Sequence, residues 1–393
     1  MSSGTRTGGG AARRQDRSWP VVAAVTLFFL GVGATLPALP GAVRDLGAGT
    51  GALGVVIGVF PFAALAGRLV SGRSTDRRGR LWTLRAGLLA AAASGALLAL
   101  PLPVAGLVAV RVVHGLADAL VYTAAAAHVL DRAPVDRRPQ ELALLGGGIW
   151  TGYALGPLVG GLLPLQAVGL VVAAAALAAI ALTAGLPDRA PGSSAHTGLR
   201  ALLPRGVAVP GLALGLGNLG YAAVIGYLVL LVDDAGGRGG VALAAFSCAV
   251  LVGRLVVVPL AARAGILRTL PPALVVMAAG LVALPLAPGT VGASLLAAVV
   301  GLGYCLPFPA LATLVAGRVG EDQRGAAISA LTAFYDVFVG VGSLVFGLVA
   351  AQAGTEAVFA LAALGVLAAA GTNVGLARSS RSALVPTASA PDG

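Results

Sequence analysis

Long apolar runs broken by short polar punctuation dominate the chain, and the run lengths decide what they form. A helix needs about 20 apolar residues to cross a hydrocarbon core about 30 Å thick. Leu142 to Pro187 and Thr269 to Gly317 carry no charged side chain at all, so each holds two crossings joined by a tight turn. The turns lie at Leu163-Pro164-Leu165-Gln166 and Pro285-Leu286-Ala287-Pro288-Gly289, where proline or a Pro-Gly pair ends one helix before the next begins. The same reading along the rest of the chain predicts twelve spans, with cores near 20–40, 52–71, 82–100, 104–129, 141–163, 167–186, 207–232, 241–262, 270–286, 290–315, 325–350 and 356–375. Residues 1–18 are polar and rich in Gly and Arg, without a short apolar segment and cleavage site, so they read as a disordered tail with the first span acting as its own membrane signal. The polar stretch 187–206 reads as a linker between two six-helix halves, 19–186 and 207–375, and 376–393 as a second polar tail. The fold class predicted is an all-α integral membrane protein of 12 transmembrane helices in two pseudo-symmetric halves.

Composition sharpens this picture. Of 393 residues 58% are hydrophobic and only 10% charged, against roughly 25% charged in a soluble domain, which excludes a water-soluble globule. The 26 basic residues are all Arg and face 15 acids, for a net charge of +11. With a cytoplasmic N-terminus, twenty arginines fall in inside segments and only Arg44 and Arg238 in outside loops. That asymmetry predicts a multi-pass protein of the cytoplasmic membrane with both termini inside. The basic excess therefore orients the chain, and no segment joins it to a nucleic-acid recognition surface.

Self-similarity appears at one constant offset across the linker. Gly67-Arg68-Leu69-Val70 recurs as Gly253-Arg254-Leu255-Val256, a shift of 253 − 67 = 186. The same shift carries Arg77 and Gly79 onto Arg263 and Gly265, Gly115 onto Gly301, Asp136 and Arg138 onto Asp322 and Arg324, and Gly156 and Gly161 onto Gly342 and Gly347. Two homologous halves in parallel orientation are an arrangement in which substrate binds near the bilayer midplane, at the interface between halves.

Gly72–Arg80 in the form GxxxDRxGR, Gly152–Gly161 in the form GxxxGPxxGG and Arg111-x-x-His114-Gly115 together make the chain resemble the major facilitator superfamily over nearly its whole length. Gly72-Arg73-Ser74-Thr75-Asp76-Arg77-Arg78-Gly79-Arg80 matches the GxxxDRxGR loop between spans two and three. The resemblance implies that this loop, with Gly72, Asp76, Arg77, Gly79 and Arg80 at its fixed positions, acts as a cytoplasmic gate against the start of span eleven, near Gly325. The second-half copy has Ala262 for the acid and Val258 for the glycine, so the role passes only to the first loop. In span five, Gly152, Gly156, Pro157, Gly160 and Gly161 complete GxxxGPxxGG, which in this family marks drug and metabolite antiporters. Glycines four apart let helices approach closely, and the proline weakens the helix ladder. In span four, Arg111-x-x-His114-Gly115 matches the start of the RxxQG pattern with His in place of Gln, and Asp118 follows.

Arg111, His114 and Asp118 fall within an arc of about 60° on one helix face. Ionisable groups in line at membrane depth are costly enough to imply a role. Asp118 reads as the principal proton-binding carboxylate, His114 as a partner in relaying the proton and Arg111 as the cation that tunes both; the alternative is an Arg–Asp pair that only holds span four against a neighbour. Asp336 in span eleven is either a second proton or cation site or a polar contact between the halves. Asn218, Tyr221 and Tyr227 in span seven, Tyr304 in span ten and Tyr122 in span four are candidate cavity-facing groups, since the resemblance places these spans around the substrate. His128, at the inner end of span four, and His196, in the linker, read as solvated.

Other chemistry lacks support in the residues. Gly215-Leu216-Gly217-Asn218-Leu219-Gly220 spells GxGxxG but sits inside an apolar span after no strand. No phosphate-binding GxxxxGK[ST] loop exists, since the chain contains no lysine. Cys248 and Cys305 lie in spans as small apolar fillers, no metal site is written, and no enzyme motif appears. The reading is a non-enzyme with no cofactor: a secondary transporter powered by the proton gradient, exporting small amphipathic molecules, working as a monomer whose partners are substrate, protons and the lipid bilayer. A proton symporter for sugars or other metabolites is the alternative within transport, and a non-transporting receptor or scaffold the alternative from another class.

Overall fold

The computed structural model describes residues 18–188, 206–287, 289–320 and 323–382. Every long regular element among them is a helix: α1 (Trp19–Asp45), α2 (Thr50–Arg78), α3 (Arg80–Leu98), α4 (Val104–Arg132), α5 (Arg138–Gly160), α6 (Leu165–Ala184), α7 (Ala208–Asp234), α8 (Gly239–Ala264), α9 (Ile266–Ala283), α10 (Thr290–Tyr304), α11 (Pro307–Arg318) and α12 (Arg324–Ser382). Eleven helical stretches among the described residues are long and apolar enough to span a bilayer. The last contains two spans, because α12 breaks at Gly354, whose φ of 85° only glycine adopts without strain. α10 and α11 make one span, interrupted after Tyr304 and resumed at Pro307. The predicted twelve crossings are therefore all present.

The punctuation behaves as read from the sequence. Pro164 starts α6, and a 3-10 turn at Leu284–Leu286 ends the α9 span. The tails are less well anticipated. α12 continues to Ser382, past the predicted end of span twelve. Residues 1–17, most of the linker (189–205, with His196) and 383–393 lie outside the described residues.

Contacts divide the chain into two compact units, Met1–Thr35 with Ala63–Ser194 and Leu36–Phe62 with Ala195–Gly393. The division passes through α1 and α2, so the Thr50 end of α2 packs within the second unit. There, a Cβ added at Gly54 would lie 2.6 Å from the Ser343 carbonyl oxygen, and one at Gly58 2.9 Å from that of Gly340. Thr50 donates to the Gly347 carbonyl at 3.2 Å and Tyr227 to that of Ser343 at 3.1 Å, while Arg44 pairs with Asp234 at 2.7 Å.

Within the units, the sequence repeat returns as repeated helix contacts. Gly67 of α2 meets Ala119 of α4, with an added Cβ 2.8 Å away, and Gly253 of α8 meets Cys305 beside the end of α10, 2.7 Å from its sulfur. Gly87 of α3 lies against Ala117, and at the same 186 offset Gly303 lies against Ala273. Gly156 of α5 lies against Gly33 of α1, and Gly342 against Leu219. At each place one missing side chain lets two helices close up, which is how spans associate when lipid offers no hydrophobic drive.

The Arg78 end of the first unit is tied by helix-end electrostatics. Both oxygens of Asp188 accept the α3 backbone N–H groups of Leu81 and Trp82, at 3.1 and 3.0 Å. Gly79 permits this twice over: its φ is 103°, and a Cβ there would sit 2.5 Å from Asp188 Oδ2. In the opposite sense, the Arg85 guanidinium caps the carbonyl end of α6 at Thr183, Ala184 and Leu186. Asp188→Ala is expected to cost about 1 kcal/mol, as loss of a helix cap does. It lowers the midpoint of thermal unfolding in detergent, while Asp188→Asn, which keeps an acceptor, lowers it less.

Candidate functional site

Two clusters of buried polar groups stand out, one in each unit. In the first, α4 runs from Val104 to Arg132 without an internal proline, and its middle presents Arg111, His114 and Asp118. They are 2%, 0% and 7% exposed, so all three are buried, as their common face predicted. Phe28 of α1 meets the His114 ring edge-on at 5.7 Å between centroids.

The partner that sequence reasoning missed is Arg68. Because Gly67 lets α2 touch Ala119, the next residue of α2 is delivered beside Asp118, with Arg68 Nη2 3.9 Å from Asp118 Oδ2. The same guanidinium lies 5.6 Å from the centre of the Tyr122 ring, one turn further along α4. Two guanidiniums, a carboxylate, an imidazole and a phenol thus share the α2–α4 region of one unit. The signal for Arg68 was present in the repeated Gly-Arg-Leu-Val, which the sequence reading used only to align the halves.

The second unit builds its cluster by the same device. Gly253 against Cys305 delivers Arg254 within electrostatic reach of Tyr304, which stands where Asp118 stands under the 186 offset. Tyr304 stacks on Tyr221 with centroids 5.0 Å apart and planes 7° from parallel, and its hydroxyl donates to Asn218 Oδ1 at 3.0 Å. Asn218 in turn donates to the Leu214 carbonyl at 2.8 Å. Phe246 and Tyr335 complete the aromatic group, their centroids 6.1 and 6.0 Å from that of Tyr221. Asp336 follows Tyr335 and is buried. Neither Phe246 nor Tyr335 was singled out by the sequence, since stacking partners on three different helices share no local pattern.

Two of the candidate tyrosines do not join this group. Tyr227 is bonded to Ser343 and packs edge-on to Phe346 at 6.5 Å, a fully buried structural contact. Tyr122 belongs to the first unit, under Arg68. His128 corrects the sequence reading: it is buried, with its ring nitrogens against the Arg132 guanidinium, because the last turn of α4 folds that arginine back over it.

The GxxxDRxGR segment is also not the loop it was read as. α2 stays helical through Arg78, and the chain reverses at Gly79 alone. Polar side chains at a helix end leaving a bilayer are solvated, so nothing in them stops the helix. Arg80 joins the segment together, contacting Asp76 Oδ1 at 3.1 Å, the Thr75 carbonyl at 2.8 Å and Asp131 Oδ2 of α4 at 3.0 Å. Arg77 is exposed, and a side chain at Gly72 would meet open space. The GxxxGPxxGG segment, by contrast, packs one face, Gly152, Gly156 and Gly160, against α1. A Cβ at Gly152 would lie 2.5 Å from the Thr26 carbonyl, one at Gly156 2.6 Å from the Ala34 nitrogen, and one at Gly160 would overlap the Ala34 carbonyl. Pro157 lies in the last turn of α5 and Gly161 is its exposed end. Gly148, one turn earlier, extends the stripe against Val22 and Thr26. Among the described residues no group of three or more His, Cys, Asp or Glu gathers where it could hold a metal ion.

Similarity to known proteins agrees with this architecture. The sequence profile of the Major Facilitator Superfamily matches residues 21–299. An uncharacterized MFS-type transporter of Burkholderia mallei is 32% identical over 369 residues, covering 89% of this chain and 89% of the relative. The uncharacterized MFS-type transporter YhhS of Escherichia coli is 30% identical over 354 residues, covering 86% and 87%. The solved D-xylose-proton symporter shares the fold, with a TM-score of 0.73 at 16% identity over 90% of this chain and 96% of that one. Twelve crossings, a repeated six-helix contact pattern and a family match over most of its length place this multi-pass membrane protein in a transporter family: the chain belongs to the Major Facilitator Superfamily.

Proposed function

We propose that this protein is a secondary active transporter that exports small, amphipathic molecules across the cytoplasmic membrane in exchange for protons. The observation that carries the reading is the buried column Arg111, His114 and Asp118, with Arg68 brought to the same carboxylate. Charged side chains at membrane depth are expensive, and this set offers a carboxylate that can alternate between a proton and a guanidinium. In this reading Asp118 carries the proton, His114 relays it, and Arg111 and Arg68 hold the carboxylate when it is ionised. Asp336 is a second buried carboxylate available to a proton or cation. Asn218, Tyr221 and Tyr304 present the substrate surface, with Tyr335 and Phe246 added to them.

Exchange is favoured over symport by the complete GxxxGPxxGG segment, whose glycines seat α5 on the α1 backbone. The halves 19–186 and 207–375 are the bodies that alternate access, with Gly72, Asp76, Arg77, Gly79 and Arg80 as the inner gate. Both termini face the cytoplasm, the monomer is the working form, and the proton gradient supplies the energy with no cofactor. Direction is tested in a strain lacking the gene and in the same strain re-expressing it, loaded with a panel of fluorescent dyes and labelled metabolites. Export predicts that the expressing cells hold less of at least one compound and lose the difference when an uncoupler collapses the gradient. Greater accumulation in the expressing cells establishes the symporter instead.

A further inference from the structure

Three acids at the Arg78 end of α2 are already engaged. Asp76 and Asp131 share Arg80, and both oxygens of Asp188 hold the start of α3. Arg85 is occupied at the end of α6. Arg73, Arg77 and Arg78 are exposed and, among the described residues, make no ion pair with a carboxylate. This leaves three positive charges concentrated on the last two turns of one helix.

An aromatic group fixes their level. The Arg78 guanidinium carbon lies 4.7 Å from the centre of the Trp82 ring, and that indole is 46% exposed. Indoles with one face open favour the headgroup level of a bilayer, where the ring is apolar and its N–H stays hydrated. Below them both helices become apolar on the same faces. Val70 precedes Arg73 and Arg77 by three and seven residues on α2, and Leu89 follows Trp82 by seven on α3; both are exposed. Charged heads above exposed aliphatic tracks match the two ends of a phospholipid.

We propose that Arg73, Arg77, Arg78 and Trp82 form a seat for the phosphate of an anionic phospholipid, whose acyl chains lie along Val70 and Leu89. The seat goes beyond the transport reading and does not depend on it; only the leaflet occupied rests on the orientation given above. Guanidiniums bind phosphate through paired, charge-assisted hydrogen bonds, and each arginine near an anionic surface changes lipid partition by about fivefold.

The test uses the full chain with Trp19→Phe and Trp150→Phe, which leaves Trp82 as the sole one of the three tryptophans. The protein is placed in nanodiscs of phosphatidylcholine containing a minor fraction of lipid brominated on the acyl chains, either phosphatidylglycerol or phosphatidylcholine. Both leaflets are alike, so the outcome is independent of orientation and of transport. Brominated phosphatidylglycerol is expected to quench Trp82 several-fold more than the same fraction of brominated phosphatidylcholine. Replacing Arg73, Arg77 and Arg78 by Gln should remove that preference. Inorganic phosphate at the same arginines gives no quenching, so the signal reports lipid. Equal quenching by the two lipids, or a preference that survives the three substitutions, overturns the proposal. If the Trp150→Phe background does not fold, native mass spectrometry of the otherwise unaltered chain reads the same comparison. There, phosphatidylglycerol adducts must fall in the triple Gln variant, and adducts that persist overturn the seat.

Discussion

Asp118→Asn is expected to abolish proton-coupled transport while leaving the protein folded and inserted. Asparagine matches the shape of the carboxylic acid but can neither release a proton nor attract Arg68 and Arg111 as a charge. In proteoliposomes the variant should show no substrate-dependent proton movement above protein-free background. Substrate binding, measured at a fixed pH, is expected to change far less than coupling. The competing account, in which Arg68 and Asp118 only fasten α2 to α4, makes a different prediction. Removing one member of a buried pair costs about 3–5 kcal/mol, while removing both can be neutral. Under that account Asp118→Asn destabilises and the added Arg68→Gln restores stability and transport together. Under ours, the double variant folds and stays uncoupled.

A large structural effect is expected at Gly156→Leu. The added carbons have no free direction, since the first of them already lies 2.6 Å from the Ala34 nitrogen and 2.7 Å from Gly33 Cα. Both obstacles are backbone, which cannot rotate away. Overpacking typically costs about 1–3 kcal/mol and rises when neighbours cannot yield, so about 3 kcal/mol or more is expected here. Thermal unfolding in detergent, followed by light scattering or tryptophan emission, should show a substantially lower midpoint and poor recovery from the membrane. Gly147→Leu provides the comparison on the same helix. Nothing lies within 4 Å of a Cβ there, and leucine is the better helix former by roughly 0.8 kcal/mol, so stability should be unchanged or slightly improved. Equal losses at the two positions would mean that the GxxxGPxxGG stripe is not the α1–α5 contact surface.

Span number and most span limits were legible because hydrocarbon thickness and proline leave few alternatives. The ends were not, because hydropathy reports where a helix leaves the bilayer and is silent on whether it continues beyond it. Hence Gly72 to Arg78 was read as loop and is helix, and α12 reaches Ser382. The column Arg111, His114 and Asp118 was legible from helical periodicity alone. Its partner was not, since a small residue such as Gly67 announces a close approach without naming what is approached. The same holds for Gly54 and Gly58, which the sequence assigns to the first half but which pack on Gly340, Ser343 and Gly347. Tyr221 and Tyr304 were each named, yet their stacking, and the diversion of Tyr227 to Ser343, depend on how three helices are set side by side.

The central claim is exchange of substrate for protons through Asp118. Its most direct test follows the internal pH of inside-out membrane vesicles, acidified by respiration and read with an acridine dye, as compounds that the expressing strain tolerates are added one at a time. Our account predicts that at least one compound discharges the pH gradient in vesicles containing the protein and in none containing Asp118→Asn. Discharge of equal size in both, or none with a compound that the protein demonstrably moves, would contradict it.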